Sequence, residues 1–478
     1  MLPVNSPLMS RLKTSSHLSL LAASLLLSAC ATQTYEAKPI EPAQALAEFR
    51  ERSLQSPALQ ASMVAQGYPQ NQFPIKAWGM QELTLATVHY HPQLEIARAQ
   101  WRASQAAERI AAQRPNPGLS SQVEHHSKTD GGVSPWTLGL ALDFTIETGG
   151  KREARMARAA SLSEAARIDI GQLVWSLRSR LRQQLLDYQT SLQIAQLLTR
   201  EVSLRQQIVD MLEKRLELGM VSDIDLNNAR LNHQKALQAL VAEQGRKPQI
   251  LASLAEATGV PASALEGVTF SLLTPPEAAL PQENLQRAAL LNRLDLNAAL
   301  ARYAASEAKL KLEIAKQTPD ISLAPGYAFD QNDNRWSLGF STILALLHRN
   351  EGPIAEAAAQ REVEARKFEE LQSRILGDLE KARASHQAAL DEEAKATRLW
   401  SAQLQRAAQT ARQFEAGQID RLEMTGAELE TLVVEQGLLA ARTRVLRALG
   451  MLEDAIQKPI DGSFLPDNPE RKEFANEP

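Results

Sequence analysis

The chain has 478 residues, with 5% aromatics and only 22 Gly and 23 Pro, and Ala, Leu, Glu, Gln and Arg dominate it. Length alone would suggest roughly two to four ordinary domains, but this mixture is that of long helices. A net charge of −4 without a basic arm or stripe argues against a nucleic-acid partner, and a lone cysteine, Cys30, excludes a disulfide framework or a Cys-based metal centre within one chain.

At the N-terminus, Arg11 and Lys13 precede an apolar run from Leu18 to Leu27, which ends in Leu27-Ser28-Ala29-Cys30. A basic start, a short apolar run and small residues at a cut define a secretory signal peptide over residues 1–29. The run is too short to span a bilayer as a mature helix. Its end resembles the bacterial lipobox, in which the Cys becomes the acylated first residue, so Cys30 is the expected lipid attachment. An ordinary signal peptide with a chance Cys is the alternative. Ala31 follows where Asp would mark inner-membrane retention, which by resemblance to sorted lipoproteins favours the outer membrane. Residues 30–79 read as a linker or equatorial segment. No other segment is a candidate membrane helix, so any crossing must be made as a β-barrel.

Two halves of the chain then run in parallel. Ala97-Arg98-Ala99-Gln100-Trp101-Arg102-Ala103-Ser104 matches Ala299-Leu300-Ala301-Arg302-Tyr303-Ala304-Ala305-Ser306. Each stretch is helical in period, starts near Pro92 or Leu294-Asp295, and stops at Pro115 or Pro319. Two strand-like runs follow in each half, one opening on Trp136-Thr137-Leu138-Gly139 and the other on Trp336-Ser337-Leu338-Gly339. Gly149-Gly150 and Gly352-Pro353 are the expected openings of two very long helices, broken near Gly219 and Gly417. The plan predicts one repeat over residues 80–259 and a second over 283–458, each as helix, strand, strand, long helix, turn and helix. Residues 260–282, within a Pro-rich stretch that begins at Pro248, link them, and residues 459–478 form a polar tail.

In the first long helix, apolar residues recur at three and four through Ile170, Leu173, Leu177, Leu181, Leu185 and Tyr188, then Leu204, Ile208, Leu212 and Leu216. This is a coiled-coil stripe. From Gly150 to Leu218 is about 70 residues, or on the order of 100 Å at about 1.5 Å per residue, so the helix needs lateral partners from its own chain or from copies. Most of the stripe is packing. The strands alternate: Trp136, Leu138, Leu140, Leu142, Phe144 and Ile146 against Thr137, Gly139, Ala141, Asp143 and Thr145. Ile321 to Phe329 alternates too, as does Trp336 onward through Leu338, Phe340 and Leu344, whereas Leu119 to Ser127 is weak. Such alternation suits a membrane barrel strand and equally a half-buried soluble sheet. A membrane barrel needs about eight or more strands, and four cannot close without unpaired edges in lipid. Several chains must then share one barrel. Trp136 and Trp336 at the strand starts suit an interfacial aromatic girdle.

The paired plan, the lipobox, the Trp-x-Leu-Gly strands and the Gly-broken hairpins resemble the TolC-type outer-membrane efflux channels over nearly the whole mature chain. Gly149-Gly150-Lys151-Arg152 and Arg349-Asn350-Glu351-Gly352 are similar to elements of the CzcC-like heavy-metal branch, with His348 a departure from the apolar or acidic residue expected there. The resemblance implies a mainly α fold with a membrane β-barrel: a long coiled-coil helical barrel, and four strands per chain completed as a twelve-stranded barrel in a homotrimer. It implies a passive exit duct in a tripartite, RND-type efflux system, working with a periplasmic adaptor (membrane fusion) protein and an inner-membrane pump in outer-membrane lipid. No catalysis and no cofactor are expected, since no nucleophile elbow, phosphate loop or His-Glu-x-x-His helix occurs. A lipid-anchored periplasmic coiled-coil scaffold without a pore is the competing reading; it leaves the four alternating strands unexplained.

Three groups of residues are candidates for function. The tips Gly219, Met220, Val221 and Ser222, and Gly417, Gln418 and Ile419, would dock the adaptor by resemblance. A C-cap Gly and an N-cap Ser account for the same residues as a well-closed helical turn. Asp420 and Glu423, one turn apart, with Asp225 at the matching place, would form acidic rings that gate the periplasmic mouth; helix-start acids beside the positive dipole end are the alternative. His89, His91, His125 and His126 could bind a metal, but lack a Cys or carboxylate cluster and read as surface or rim residues, so no metal is assigned. Lys151, Arg152, Arg155 and Arg158 should face water or lipid headgroups.

Overall fold

The computed structural model describes residues 34–128, 131–274 and 285–460. Cys30, the signal peptide, most of the C-terminal tail and much of the expected linker lie outside the described residues. The chain falls into two compact units, up to Glu51 and from Arg52 onward. In the first, Pro42–Arg50 forms an exposed helix, α1, started by its proline.

The second unit opens with α2 (Pro57–Ala65) and α3 (Met80–Tyr90). Glu82 caps α3 by accepting from the Gly79 N–H at 2.9 Å. Next come α4 (Pro92–Ala112), β1 (Gly118–His125), β2 (Trp136–Ile146), α5 (Lys151–Glu217) and α6 (Asp223–Thr258). A short α7 (Leu285–Asn292) precedes α8 (Leu294–Ala315), β3 (Ile321–Asp330), β4 (Asp333–Thr342), α9 (Glu351–Glu415) and α10 (Arg421–Ile456). The two series correspond closely in length: α4 and α8 have 21 and 22 residues, α5 and α9 have 67 and 65, and α6 and α10 have 36 each.

The four strands form one antiparallel sheet in the order β1-β2-β3-β4. Four helices pack in the matching order α4-α5-α8-α9. Each strand continues along the chain into the helix of the same rank, so sheet and helix layer are end-to-end continuations of one another. Both therefore present open edges, β1 with α4 and β4 with α9.

Burial concentrates midway along the long helices. Leu59, Leu83, Trp78 and Phe270 close over Leu181, Leu185 and Leu254. Leu285 and Leu296 close similarly over Leu371, Ile375, Leu379 and Leu452. Leu177, Leu181 and Leu185 of the expected stripe are fully buried, and the outer positions Leu204, Ile208 and Leu216 are half-buried. Among the described residues, no helix is long and apolar enough to cross a membrane.

Three local expectations need correction. Helix α6 runs through Pro248 to Thr258 instead of ending near the proline. Pro248 is exposed, so the carbonyl its missing N–H abandons can turn to water. The second long helix starts at Glu351, not at Gly352-Pro353. Its N-cap is Asn350, at φ 63°, whose side-chain amide donates to the Glu313 carbonyl at 2.8 Å. Asn tolerates the left-handed region that the first half fills with Gly150, at φ 74°. Finally, β4 begins at Asp333 and ends at Thr342, so Trp336 is its fourth residue and Leu344 lies beyond it.

Candidate functional site

The sheet has two chemically distinct faces. Residues opposed across antiparallel strands share a face, and the register places Leu142, Leu140 and Leu138 of β2 beside Leu119 and Val123 of β1 and Tyr327 and Phe329 of β3. Trp336, Leu338 and Phe340 of β4 extend this apolar face. The other face carries Thr137, Gly139, Ala141, Asp143, Ala324, Gly326, Ala328, Ser337, Gly339 and Ser341. Along β2 the apolar residues are exposed, while their small and polar neighbours through Asp143 are half-buried. That inverts the order of a soluble sheet. The small face is also crowded: a Cβ on Gly326 would lie 2.8 Å from Ser337 Oγ and 3.2 Å from Ala141 Cβ. Along β2 the apolar side is therefore the open one, and the small, polar side is the tighter one. With 10 or 11 residues each in β2, β3 and β4, the strands have the length of tilted membrane strands. Trp336 packs at a tilt against Tyr327 at 5.0 Å and Trp136 meets His125 edge to face at 4.6 Å, both near the hairpin end of the sheet.

Where strands become helices, the basic residues are not spread over the surface. Lys151 is 8% exposed and its Nζ meets Asp320 Oδ1 at 2.6 Å. Arg152 Nε donates to the Ala112 carbonyl at 2.9 Å, and Arg155 pairs with Glu147, holding that carboxyl below the usual carboxylate range. Of the four expected to face solvent or headgroups, Arg158 is exposed. Gly149 and Gly150 take positive φ, and a Cβ on Gly149 would lie 2.8 Å from the Ala315 carbonyl. Gly149-Gly150-Lys151-Arg152 thus clamps two strand-to-helix junctions together, a structural task that asks nothing of a cargo.

At the far end of the long helices, both tips use one design. Gly219 and Gly417 adopt φ 72° and 69°. The N–H of Met220 returns to Arg215 O, and that of Gln418 to Gln413 O, each at 2.8 Å. This closes both helix ends in the same left-handed manner. Ser222 caps α6 and forms a reciprocal box with Asp225, whose carboxylate accepts from the Ser222 N–H and hydroxyl. Those hydrogen bonds hold the Asp225 carboxyl below the usual range. In the second tip Asp420 does the capping, accepting from the Glu423 N–H at 2.9 Å. Its other oxygen takes Arg215 Nη2 at 2.6 Å, so it ties the second tip to the first hairpin. Its carboxyl is held low by the Glu423 N–H first and by Arg215 next. Leu422 adds an apolar contact to the cluster of Val209, Leu212 and Leu226. Glu423 is exposed and, among the described residues, its carboxylate has no hydrogen bond or ion pair. Structure thus separates three acids that look alike in sequence: Asp225 and Asp420 cap helices, and Glu423 is uncommitted.

The histidines do not converge. His91 is buried and accepts from the Gln93 N–H as the cap of α4, contrary to the expected surface position, and burial lowers its pKa. His89 packs against Tyr90. His126 Nε2 lies 2.9 Å from Thr137 Oγ1. Among the described residues, no group of three or more His, Cys, Asp or Glu could hold a metal ion. Sequence reasoning missed the network of Trp175, Arg178, Arg182, Glu453 and Asp454 between α5 and α10. There Arg178 Nη1 meets Glu453 Oε2 at 3.1 Å and Arg182 Nη2 meets Asp454 Oδ2 at 2.8 Å.

Comparison with known proteins fits this geometry. The profile of the outer membrane efflux protein family matches residues 88–260, from the end of α3 to just past α6. Over this stretch the chain is similar to the outer membrane efflux protein family. No curated protein matches it in sequence. Among solved structures, the outer membrane protein VceC of Vibrio cholerae is similar at a TM-score of 0.65 and 19% identity, over 79% of this chain and 96% of that one. CusC is similar at 0.66 and 17%, over 80% and 92%. The MtrE outer membrane channel of Neisseria gonorrhoeae is similar at 0.61 and 15%, over 79% and 89%. At these identities the likeness establishes the fold. Family match and fold together support an efflux channel of the bacterial outer membrane.

Proposed function

We propose that the chain is one subunit of an outer-membrane exit duct, in which several copies close a barrel through their sheets and a tunnel through their helix layers. One observation carries this reading: along β2 the apolar residues are exposed and their small and polar neighbours through Asp143 are half-buried, as lipid outside and water inside require. A monomeric sheet with two open edges is not viable in hydrocarbon. Four alternating strands per chain let copies join edge to edge without breaking the antiparallel pattern. Three copies, giving twelve strands, is the number implied by the family resemblance.

In this reading the duct is passive, and the driving force belongs to an RND-type inner-membrane pump reached through a periplasmic adaptor. The tips around Gly219–Ser222 and Gly417–Ile419 dock the adaptor, Glu423 lines the mouth, and Cys30 carries the lipid anchor. Heavy-metal cations are the cargo favoured by resemblance; the two motifs behind it are explained by helix capping, so the cargo rests on the pump. The test is reconstitution of the full chain in planar bilayers. Trimers with stable single-channel conductance are expected. Monomers that give no conductance would favour the anchored scaffold.

A further inference from the structure

We propose that Ile343–Leu346 is the unformed end of β4 and that it becomes strand by pairing with β1 of a second copy, in a register that the chain itself specifies. The proposal rests on the channel reading above and on taking the two halves as repeats. Ile343, Leu344, Leu346 and Leu347 are 81%, 68%, 83% and 97% exposed, directly after an edge strand. Leu346 N–H turns back to Leu344 O at 2.9 Å, so this stretch stands off the sheet in the single chain.

The two hairpins agree without a slip. Counted from Trp136 and Trp336, the pair Val123↔Leu138 corresponds to Pro325↔Leu338, and Leu119↔Leu142 to Ile321↔Thr342. β1 therefore stands where β3 stands, and β2 where β4 stands. The seam between the halves supplies the missing term. There, Leu140 faces Tyr327, Phe144 faces Leu323 and Ile146 faces Ile321. The β2 residues Phe144 to Ile146 lie past the start of β1 and pair with β3 alone. Their counterparts in β4 are Leu344 to Leu346. These lie past the start of β3, and a single chain offers them no strand on the other side. The segment is loose because its partner is another molecule.

Carrying the seam register over sets Phe340 opposite His125 of a second copy, Leu344 opposite its Ser121, and Leu346 opposite its Leu119. Leu344 and Leu346 then continue the apolar face beyond Phe340 toward the helix junction. The polarity is right as well: strand directions alternate through β4, so β1 of the next copy arrives antiparallel. Edge pairing of this kind satisfies the backbone hydrogen-bonding groups of both open edges and adds Leu344 and Leu346 to the lipid-facing side.

The test uses the full chain in membranes with Leu119→Cys and Leu346→Cys together. Directly opposed strand residues have Cα atoms about 4.5–5.5 Å apart, within the disulfide range of about 4.4–6.8 Å; a slip of two residues moves the pair to about 7–8 Å. Oxidation should give covalent dimers and trimers on denaturing gels, lost on reduction and absent from each single variant, which also controls for Cys30. Ser121→Cys with Leu344→Cys should behave alike, and Ser121→Cys with Leu346→Cys should stay monomeric on the gel. Preferential bridging of the shifted pair, or no bridging of either matched pair in trimers that conduct normally, overturns the register and leaves the channel reading standing. If the unsubstituted chain neither assembles nor conducts, the channel reading falls and takes this proposal with it.

Discussion

Arg178 is 2% exposed, yet nothing about its neighbours in sequence marks it as buried. It enters the seam between α5 and α10 to meet Glu453, which Arg182 also reaches; Asp454 takes Arg182 on its far side and Trp175 Nε1 at 3.1 Å. One carboxylate thus serves two guanidiniums across 275 and 271 residues of chain. Breaking a buried pair from one side is far costlier than never having built it. Glu453→Ala withdraws the shared carboxylate and should cost about 3–5 kcal/mol, read as a fall in thermal midpoint in detergent. Glu453→Gln keeps the shape and a hydrogen-bond acceptor and should fall between the two. Gly450 belongs to the same seam, because a Cβ there would lie 2.6 Å from Arg182 Nε.

At the scale of elements, the long helices, both Gly tips and β2 were legible, because each is written in a local code: period, cap chemistry or strict alternation. The boundaries of β2 match the alternation at both ends. What escaped was written across distance. Lys151 reads as a solvent-facing charge until Asp320, 169 positions later, arrives beside it. Asp420 reads as a mouth acid until Arg215 closes on it. The second example predicts a pH response. The Asp420 carboxyl titrates below its ordinary value, so its contribution to the tip is complete above the ordinary carboxylate range and is lost as pH falls through the lowered value. Protonation releases Arg215 and weakens the cap of α10 together. In the proposed channel, conductance should rise as the mouth is acidified through that window. Asp420→Asn should remove the rise, whereas Arg215→Gln should start from the higher conductance and respond less.

At the scale of the whole molecule, strands of matched rank continue into helices of matched rank, so in the proposed assembly barrel and tunnel share one set of edges. Any acid at a tip would then be repeated, in that assembly, around the same axis as the strands. Asp420 and Glu423 differ within the single chain: Asp420 is committed to Arg215 and to capping, whereas the Glu423 carboxylate has no partner among the described residues. Their substitutions should therefore separate. Asp420→Ala removes a cap, worth about 0.5–2 kcal/mol, and frees the tip, so conductance rises and thermal stability falls. Glu423→Ala removes no side-chain hydrogen bond or ion pair seen among the described residues, so stability should hold. Its effect is electrostatic: a unit charge at about 4 Å in water is worth about 1 kcal/mol, so a ring of such charges tilts occupancy toward cations by several-fold. Glu423→Ala should lower the cation-over-anion permeability ratio, measured from reversal potentials in a salt gradient, while Glu423→Asp keeps most of it. An unchanged ratio in Glu423→Ala would mean that the acid does not line the narrowest passage, and that the constriction is built by the packed tip itself.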